Sequence, residues 1–122
     1  MKYLNELKDL GLPENEYAIF GSGPLAIRSL RENLDIDIVV SENLWNNLID
    51  KYGLSGRCVC IGNVDVYRDW FGMDIDDLIK NSEIIEVFRY VCLNDVVKWK
   101  ENTSRDKDKK DLILIRDYLK NN

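Results

Sequence analysis

Two aspartates, Asp35 and Asp37, are the residues of this chain best placed for chemistry. They open the segment 35–40, DIDIVV, where polar and apolar residues alternate before the run becomes wholly apolar. This pattern predicts a strand whose early part is open on one face. Because residues two apart on a strand project to the same side, the two carboxylates would lie close together. Such oxygen ligands suit Mg²⁺, with Mn²⁺ as an alternative.

A glycine turn, Gly21-Ser22-Gly23, precedes this pair. The apolar run 17–20 predicts a strand leading into it, and the spacing that follows predicts a helix over 24–31. The glycines let the backbone approach a phosphate, the Ser22 hydroxyl can donate to it, and the start of a helix favours an anion. The turn and the aspartates are each common alone, but in this order they are a specific signal for phosphate and metal binding.

Other catalytic schemes are restricted by the residues that the chain lacks. It has no histidine, which excludes Ser-His and Cys-His nucleophiles, so its chemistry must rest on carboxylates, lysines or metal. Its three cysteines, Cys58, Cys60 and Cys92, do not resemble a secreted disulfide framework, and we expect reduced thiols. Cys58 and Cys60 would share one strand face, where packing is favoured over a zinc site that needs sulfur or oxygen ligands throughout.

Length and charge limit the class of protein. The 122 residues, 45% of them hydrophobic, predict one domain over 1–122. A net charge of -5 argues against a surface that grips duplex nucleic acid through many phosphates. The chain contains no apolar run of about 18 residues, and its charged amphipathic start is unlike a signal peptide. We therefore expect a soluble cytoplasmic protein with no membrane partner.

The remaining pattern predicts an α+β chain. The predicted helices cover 2–11, 24–31, 42–52 after the N-cap Ser41, 74–81, about 94–101 after the cap Asn94, and a last segment from about 106; the predicted strands cover 17–20, 35–40, 57–61, 64–67 and 84–91. Within the helix 24–31, Arg28 and Arg31 are three apart and are expected to lie side by side.

The glycine turn and the aspartates carry a resemblance to a known family. The segments AIFGSGPLAIR at 18–28 and DIDIVV at 35–40 resemble the small nucleotidyltransferase-like family of the DNA polymerase β superfamily. The similarity is closest over 17–40 and looser over 62–67, 93–100 and 105–111. It implies a nucleotidyltransferase fold, with a short mixed β-sheet, flanking helices and a C-terminal helical pair.

The resemblance also implies three metal-binding and catalytic carboxylates. Asp35 and Asp37 match the Asp-x-Asp pair of the superfamily, and Asp65, on the predicted strand 64–67, is the candidate for the third carboxylate that comes from a later strand. A second pair with the same spacing, Asp74 and Asp76, precedes a predicted helix. Acidic residues are expected there as helix caps, so we favour capping for that pair.

The nucleotide-binding residues that the resemblance implies are Gly21, Ser22, Arg28, Lys100, Arg105 and Lys107. In family members a lysine-bearing helix and an Arg-x-Lys-Asp motif close over the nucleotide, and here Lys98 or Lys100 and the segment 105–108 match them. The alternative is that these lysines are exposed and form weak ion pairs along their helices. The three tryptophans, Trp45, Trp70 and Trp99, are expected in the core or a groove rather than as base-stacking platforms.

Three functions remain open from the sequence. The first is transfer of a nucleoside monophosphate from a nucleoside triphosphate to an acceptor hydroxyl on protein, RNA or a small molecule, with pyrophosphate leaving and Asp65 as a candidate base. The second is an inactive nucleotide-binding or regulatory module of the same fold, for which toxin–antitoxin or defence systems are the family context. The third treats the glycine turn as a tight connection and the aspartates as a solvated strand face.

Overall fold

The protein is α+β over residues 1–121, the part of the chain that this computed structural model describes. In chain order the elements are α1 (Leu4–Asp9), a 3₁₀ turn (Glu14–Glu16), β1 (Tyr17–Phe20), α2 (Gly23–Ala26), β2 (Ile36–Val40), α3 (Glu42–Tyr52), β3 (Val59–Ile61), β4 (Val64–Tyr67), α4 (Ile75–Lys80), β5 (Glu83–Ile85), β6 (Phe88–Tyr90), α5 (Leu93–Thr103) and α6 (Asp106–Asn121). The predicted mixed sheet with flanking helices and a C-terminal helical pair is confirmed. No helix within residues 1–121 is both long and apolar enough to cross a membrane.

The six strands form one sheet in the order β3-β4-β2-β1-β6-β5. β2 is antiparallel to β1 and parallel to β4, while β3 and β4 form an antiparallel hairpin. This register places Cys60, Asp65, Asp37 and Phe20 side by side on the four adjacent strands β3, β4, β2 and β1. Since paired positions project from the same face, the sheet itself brings two of the predicted catalytic carboxylates together.

The two faces of the sheet bury different cores. One face, which includes Ile19, Ile38 and Val66, packs against apolar residues of α1 and α3. The other face, which includes Phe20 and Val39, packs against α4, α5 and α6. Strand alternation therefore assigns Asp37 and Asp65 to the face covered by the C-terminal helices.

Side-chain caps explain where two helices begin. Ser41 Oγ accepts a hydrogen bond from the Leu44 backbone N–H at 3.2 Å, as predicted for the start of α3. Asp74 accepts from the Asp77 backbone N–H at 3.2 Å at the start of α4, while Asp76 pairs with Arg68 at 2.9 Å. The second Asp-x-Asp pair is thus engaged in capping and an ion pair, which confirms the interpretation of Asp74 as a cap.

The predicted helix 24–31 was too long. α2 ends at Ala26, and the chain turns at Ser29, which adopts a left-handed φ of 60°. This turn separates the two arginines: Arg28 pairs with Glu83 of β5, and Arg31 pairs with Asp111 of α6 at 2.8 Å. The prediction that they lie side by side was therefore wrong.

Two predictions near the C-terminal helices were also wrong. The predicted single strand 84–91 is the hairpin β5–β6, because Glu86 adopts a φ of 62° and reverses the chain. The N-cap of α5 is Cys92 rather than Asn94, and its thiol lies 3.2 Å from Asp95 Oδ2. Glu86, like Ser29 after α2, is a left-handed turn residue that is not a glycine, so the usual sequence signal for a reversal was missing at both positions.

Candidate active site

The predicted carboxylates Asp35, Asp37 and Asp65 lie together and are here called the carboxylate triad. One oxygen from each lies within 4.8 Å of the others. Asp37 and Asp65 are paired positions on parallel β2 and β4, and Asp35 directly precedes β2. All three side chains are half-buried at the edge of the covered sheet face.

Crowding of three acidic groups changes their protonation. Burial, followed by the charges of Asp35 and Asp65, raises the pKa of Asp37 to about 7, and Lys107 partly opposes this rise. Burial and then Asp65 also raise the pKa of Asp35. A divalent cation would relieve this repulsion, so the electrostatics and the oxygen spacing of the triad both fit Mg²⁺ or Mn²⁺.

Gly21 is required by the triad as well as by the turn. Its φ is +60°, and a Cβ built there would overlap Asp37 Oδ2 and lie 3.1 Å from Asp37 Cβ. The backbone of the glycine turn therefore packs directly against the carboxylate. Ser22 precedes α2, and its hydroxyl makes no capping bond within residues 1–121. With only four residues, α2 offers little of the helix field that the sequence predicted for a phosphate.

One open cavity of about 630 Å³ joins Asp35 and Asp37 of the triad to the C-terminal helices, whereas Asp65 is not among its lining residues. Ligand pockets usually span about 300–1,000 Å³, so it has room for a nucleotide. Of the residues predicted for the site, those that line it are Gly21, Ser22, Asp35, Asp37, Lys100, Arg105 and Lys107. Arg28 is not among the lining residues, because it pairs with Glu83 and with the Pro24 carbonyl; Arg31 lines the cavity instead.

A buried ion-pair network between α5 and α6 forms part of the cavity wall through Lys100, Arg105 and Asp111. Lys100 is only 3% exposed, and its Nζ lies 2.8 Å from Asp111 Oδ2 and 3.6 Å from Asp108 Oδ1. Arg105 holds Asp108 through Nε at 2.7 Å and Nη2 at 3.1 Å. The alternative that Lys100 is an exposed helix residue was therefore wrong. Lys98, which is exposed and 3.9 Å from Asp95, does fit that description.

Asp108 is the most enclosed acid of this network. Burial raises its pKa, but hydrogen bonds from Arg105, from Thr103 Oγ1 at 2.6 Å and from the Arg105 backbone N–H outweigh it and hold the pKa well below the usual value. Asp108 is therefore an anion that fixes α5 against α6.

Aromatic side chains complete the cavity. Trp70 and Trp99 are buried with ring centroids 5.1 Å apart, as predicted for core or groove residues. Their indole Nε1 groups are buried and have no hydrogen-bond partner among residues 1–121. Phe71, which the sequence did not single out, is 58% exposed beside them, and the Arg105 guanidinium lies 5.6 Å from its ring centre. Phe71 adopts a left-handed φ of 53° and lines the cavity.

Comparison with known proteins adds no relative. No family model, curated protein or solved structure matches this chain. The local resemblance over 17–40 and the geometry of the site are therefore what supports a function.

A pair of thiols borders the triad on its β3 side. Cys58 Sγ and Cys60 Sγ are 3.1 Å apart, Cys58 is half-buried and Cys60 is exposed, so Cys60 does not have the packing role that the sequence favoured. The hydrogen bond with Cys58, burial and the nearby Asp65 raise the pKa of Cys60 to about 12. Without a bound cation the Cys60 thiol is protonated and a poor nucleophile.

The arrangement separates charges within one cavity. Asp35 and Asp37, directly before and within β2, line it together with Arg105 and Lys107 of the α6 region. A polyanion that carries divalent cations would meet oxygen ligands for the cations and donors for its own oxygens. This pattern suits a nucleoside triphosphate better than a neutral or cationic ligand.

Proposed function

We propose that this protein is a metal-dependent nucleotidyltransferase with the DNA polymerase β-type fold, which moves a nucleoside monophosphate from a nucleoside triphosphate to an acceptor hydroxyl. The observation that carries the proposal is the carboxylate triad, whose oxygens lie within 4.8 Å of one another beside the glycine turn. Two oxygens on one Mg²⁺ are about 3–4 Å apart, so this spacing fits shared cations after small rotations.

In this proposal Asp35, Asp37 and Asp65 hold Mg²⁺, or Mn²⁺ in its place. The bound ions supply positive charge for the attacking and leaving oxygens of an in-line displacement. Asp65 accepts the proton of the acceptor hydroxyl, because a chain without histidine leaves carboxylates as its bases. The hydroxyl oxygen bonds to the α-phosphorus, the bond from that phosphorus to the bridging oxygen breaks, and pyrophosphate leaves.

The remaining residues bind and orient the phosphates. The Gly21-Ser22 backbone and the Ser22 hydroxyl donate to phosphate oxygens. Lys107 is exposed at the cavity and acts on the charge of Asp37, so it is the cation best placed between phosphate and triad. Arg105 adds a second donor. Lys100 is already balanced by two carboxylates, and we assign it to positioning the wall.

The test is transfer of labelled nucleotide to acceptors in a cell extract, with each of the common triphosphates and Mg²⁺ or Mn²⁺. Replacing Asp35 and Asp37 together by alanine should lower transfer by at least about a hundredfold, since both metal ligands are lost. Asp74→Asn is a matched control, because it alters the other Asp-x-Asp pair but keeps a helix cap. Unchanged transfer by the folded double variant would refute the assignment.

A second candidate is an inactive nucleotide-binding or regulatory module, for which a toxin–antitoxin or defence setting is the family context. It is favoured by the four-residue α2 and by the internal pairing of Lys100 and Arg105, which leaves fewer free charges for phosphates. Thermal stabilisation by nucleotide and Mg²⁺ without release of pyrophosphate over a range of protein, RNA and small-molecule acceptors would support it. Release of pyrophosphate that depends on acceptor would exclude it.

A further inference from the structure

A cluster of two thiols and one carboxylate lies next to the carboxylate triad but contains different ligand atoms. The Sγ atoms of Cys58 and Cys60 and an oxygen of Asp65 all lie within 4.8 Å of one another. Cys60 is the register partner of Asp65 across the β3–β4 hairpin. Cys58 is held by backbone hydrogen bonds with Ser55 in both directions, at 2.8 and 3.2 Å. The backbone therefore fixes all three residues on one side of the hairpin.

We propose that Cys58, Cys60 and Asp65 form a site for a thiophilic divalent cation, with Zn²⁺ as the expected ion. Zinc bound by three protein ligands keeps an open position, and bonds of about 2.3 Å to sulfur and about 2.1 Å to oxygen place tetrahedral ligands roughly 3.5–3.8 Å apart. The 3.1 Å between the thiols needs only a small opening. Soft sulfur ligands select zinc over magnesium, so this site differs in chemistry from the triad.

Exposure supports a ligand role over a packing role. Cys60 is exposed, and Cys58 is half-buried and lines the open cavity, so neither residue is enclosed in the apolar core. The third thiol, Cys92, lies apart from the cluster, with its Sγ 3.2 Å from Asp95 Oδ2. Only the clustered pair has a second sulfur and a carboxylate within ligand distance among the described residues. The chain thus contains its own control cysteine.

Asp65 belongs to both groups, which makes the two cation sites mutually dependent. A zinc ion that draws the Asp65 carboxylate toward β3 removes it from the triad, so zinc should weaken Mg²⁺ or Mn²⁺ binding there and inhibit transfer. This consequence rests on the proposed function, whereas the binding of zinc does not. Zinc would then inhibit transfer because Asp65 is a ligand of both cation sites.

The first experiment titrates the reduced full chain with Zn²⁺ against a chromophoric chelator, and with Co²⁺ to observe thiolate-to-cobalt charge transfer. We expect one equivalent to bind, at least about tenfold weaker in Cys58→Ser and in Cys60→Ser, with the charge-transfer band weakened because one thiolate remains in each variant. Cys92→Ser should match the wild type. Absence of the band in the wild type, or equal binding by Cys60→Ser, would overturn the proposal.

The second arm separates the two cation sites. Asp35→Asn should keep zinc affinity while losing Mn²⁺ affinity, and Asp65→Asn should weaken both. If zinc instead binds the carboxylate triad, Asp35→Asn will lose it and Cys60→Ser will keep it, which contradicts the proposed site. Failure of nucleotide transfer alone would refute the proposed function but leave these zinc titrations unchanged, so the two failures are distinguishable.

Discussion

Asp37 is a single residue whose position in the triad is electrostatically unfavourable in the metal-free protein. It is a half-buried carboxylate between two others, and without a cation this position disfavours its charge. The sequence identified Asp37 from its spacing to Asp35 and named Asp65 as the candidate third carboxylate, and the pairing of β2 with β4 places Asp65 beside Asp37. Part of the rise in the pKa of Asp37 comes from Asp65. This contribution depends on the pairing of β2 with β4, which the sequence of one strand does not predict.

We expect the stability of the metal-free protein to fall as pH rises from about 4 to about 7. Unfolded Asp37 releases its proton near 3.8 and the folded protein near 7, so between these values only the folded state holds it and each pH increase favours unfolding. Asp37→Asn removes this effect and should raise the free energy of unfolding at pH 8 by about 1–3 kcal/mol.

The measurement is urea denaturation of both proteins with a chelator, at several pH values. Asp50→Asn, in an exposed position of α3, controls for the loss of one negative charge. If Asp37→Asn and wild type show parallel pH profiles, Asp37 does not carry a raised pKa.

Gly21 gives a second test at this scale. Gly21→Ala should destabilise the protein by about 1–3 kcal/mol and abolish Mn²⁺ binding, because the new methyl group displaces the Asp37 carboxylate and the left-handed φ is strained. Gly11→Ala is the matched control, since Gly11 has a φ of +59° but open space around its Cβ position. Thermal melts measure the loss of stability, and Mn²⁺ paramagnetic resonance measures metal binding. If Gly21→Ala and Gly11→Ala lose the same stability and both keep Mn²⁺ binding, strain of the left-handed backbone explains the effect and contact with Asp37 does not.

The helix pair α5–α6 is the element whose role sequence reasoning understated. Its buried network depends on Lys100, which lies between Asp108 and Asp111. Lys100→Met would leave two buried carboxylates short of a partner, and we expect a loss of about 3–5 kcal/mol in unfolding free energy. Lys98→Met, on the same helix but exposed, should change it by less than about 0.5 kcal/mol. Urea denaturation distinguishes them, and comparable small losses would contradict the network.

Strands with strong alternation were predictable, and turns without glycine were not. The periodicity of 35–40 and 64–67 identified β2 and β4 together with the faces of their aspartates. The reversals at Ser29 and Glu86 escaped prediction because left-handed backbone at such residues has no reliable sequence signal. The burial of Lys100 also escaped, since a lysine with acidic residues nearby is usually a solvated surface residue.

At the scale of the whole molecule, the apolar core and the candidate site lie on opposite faces of one sheet. Its first face is a continuous apolar core against α1 and α3, and the second combines an aromatic core with the carboxylates and the cavity. The carboxylate triad thus lies on a sheet whose other face is a packed apolar core. The thiol pair continues the same row of the sheet by one strand, which is why it comes within reach of Asp65.

The most direct test of the proposed reaction compares two labels in the same triphosphate, incubated with the protein, Mg²⁺ and an extract that contains acceptors. Nucleotidyl transfer predicts that label at the α-phosphate moves to the acceptor while label at the γ-phosphate leaves as pyrophosphate, and that both events are lost in the Asp35→Ala, Asp37→Ala double variant. Transfer of the γ-label to the acceptor, or retention of α-label transfer in the double variant, would contradict it.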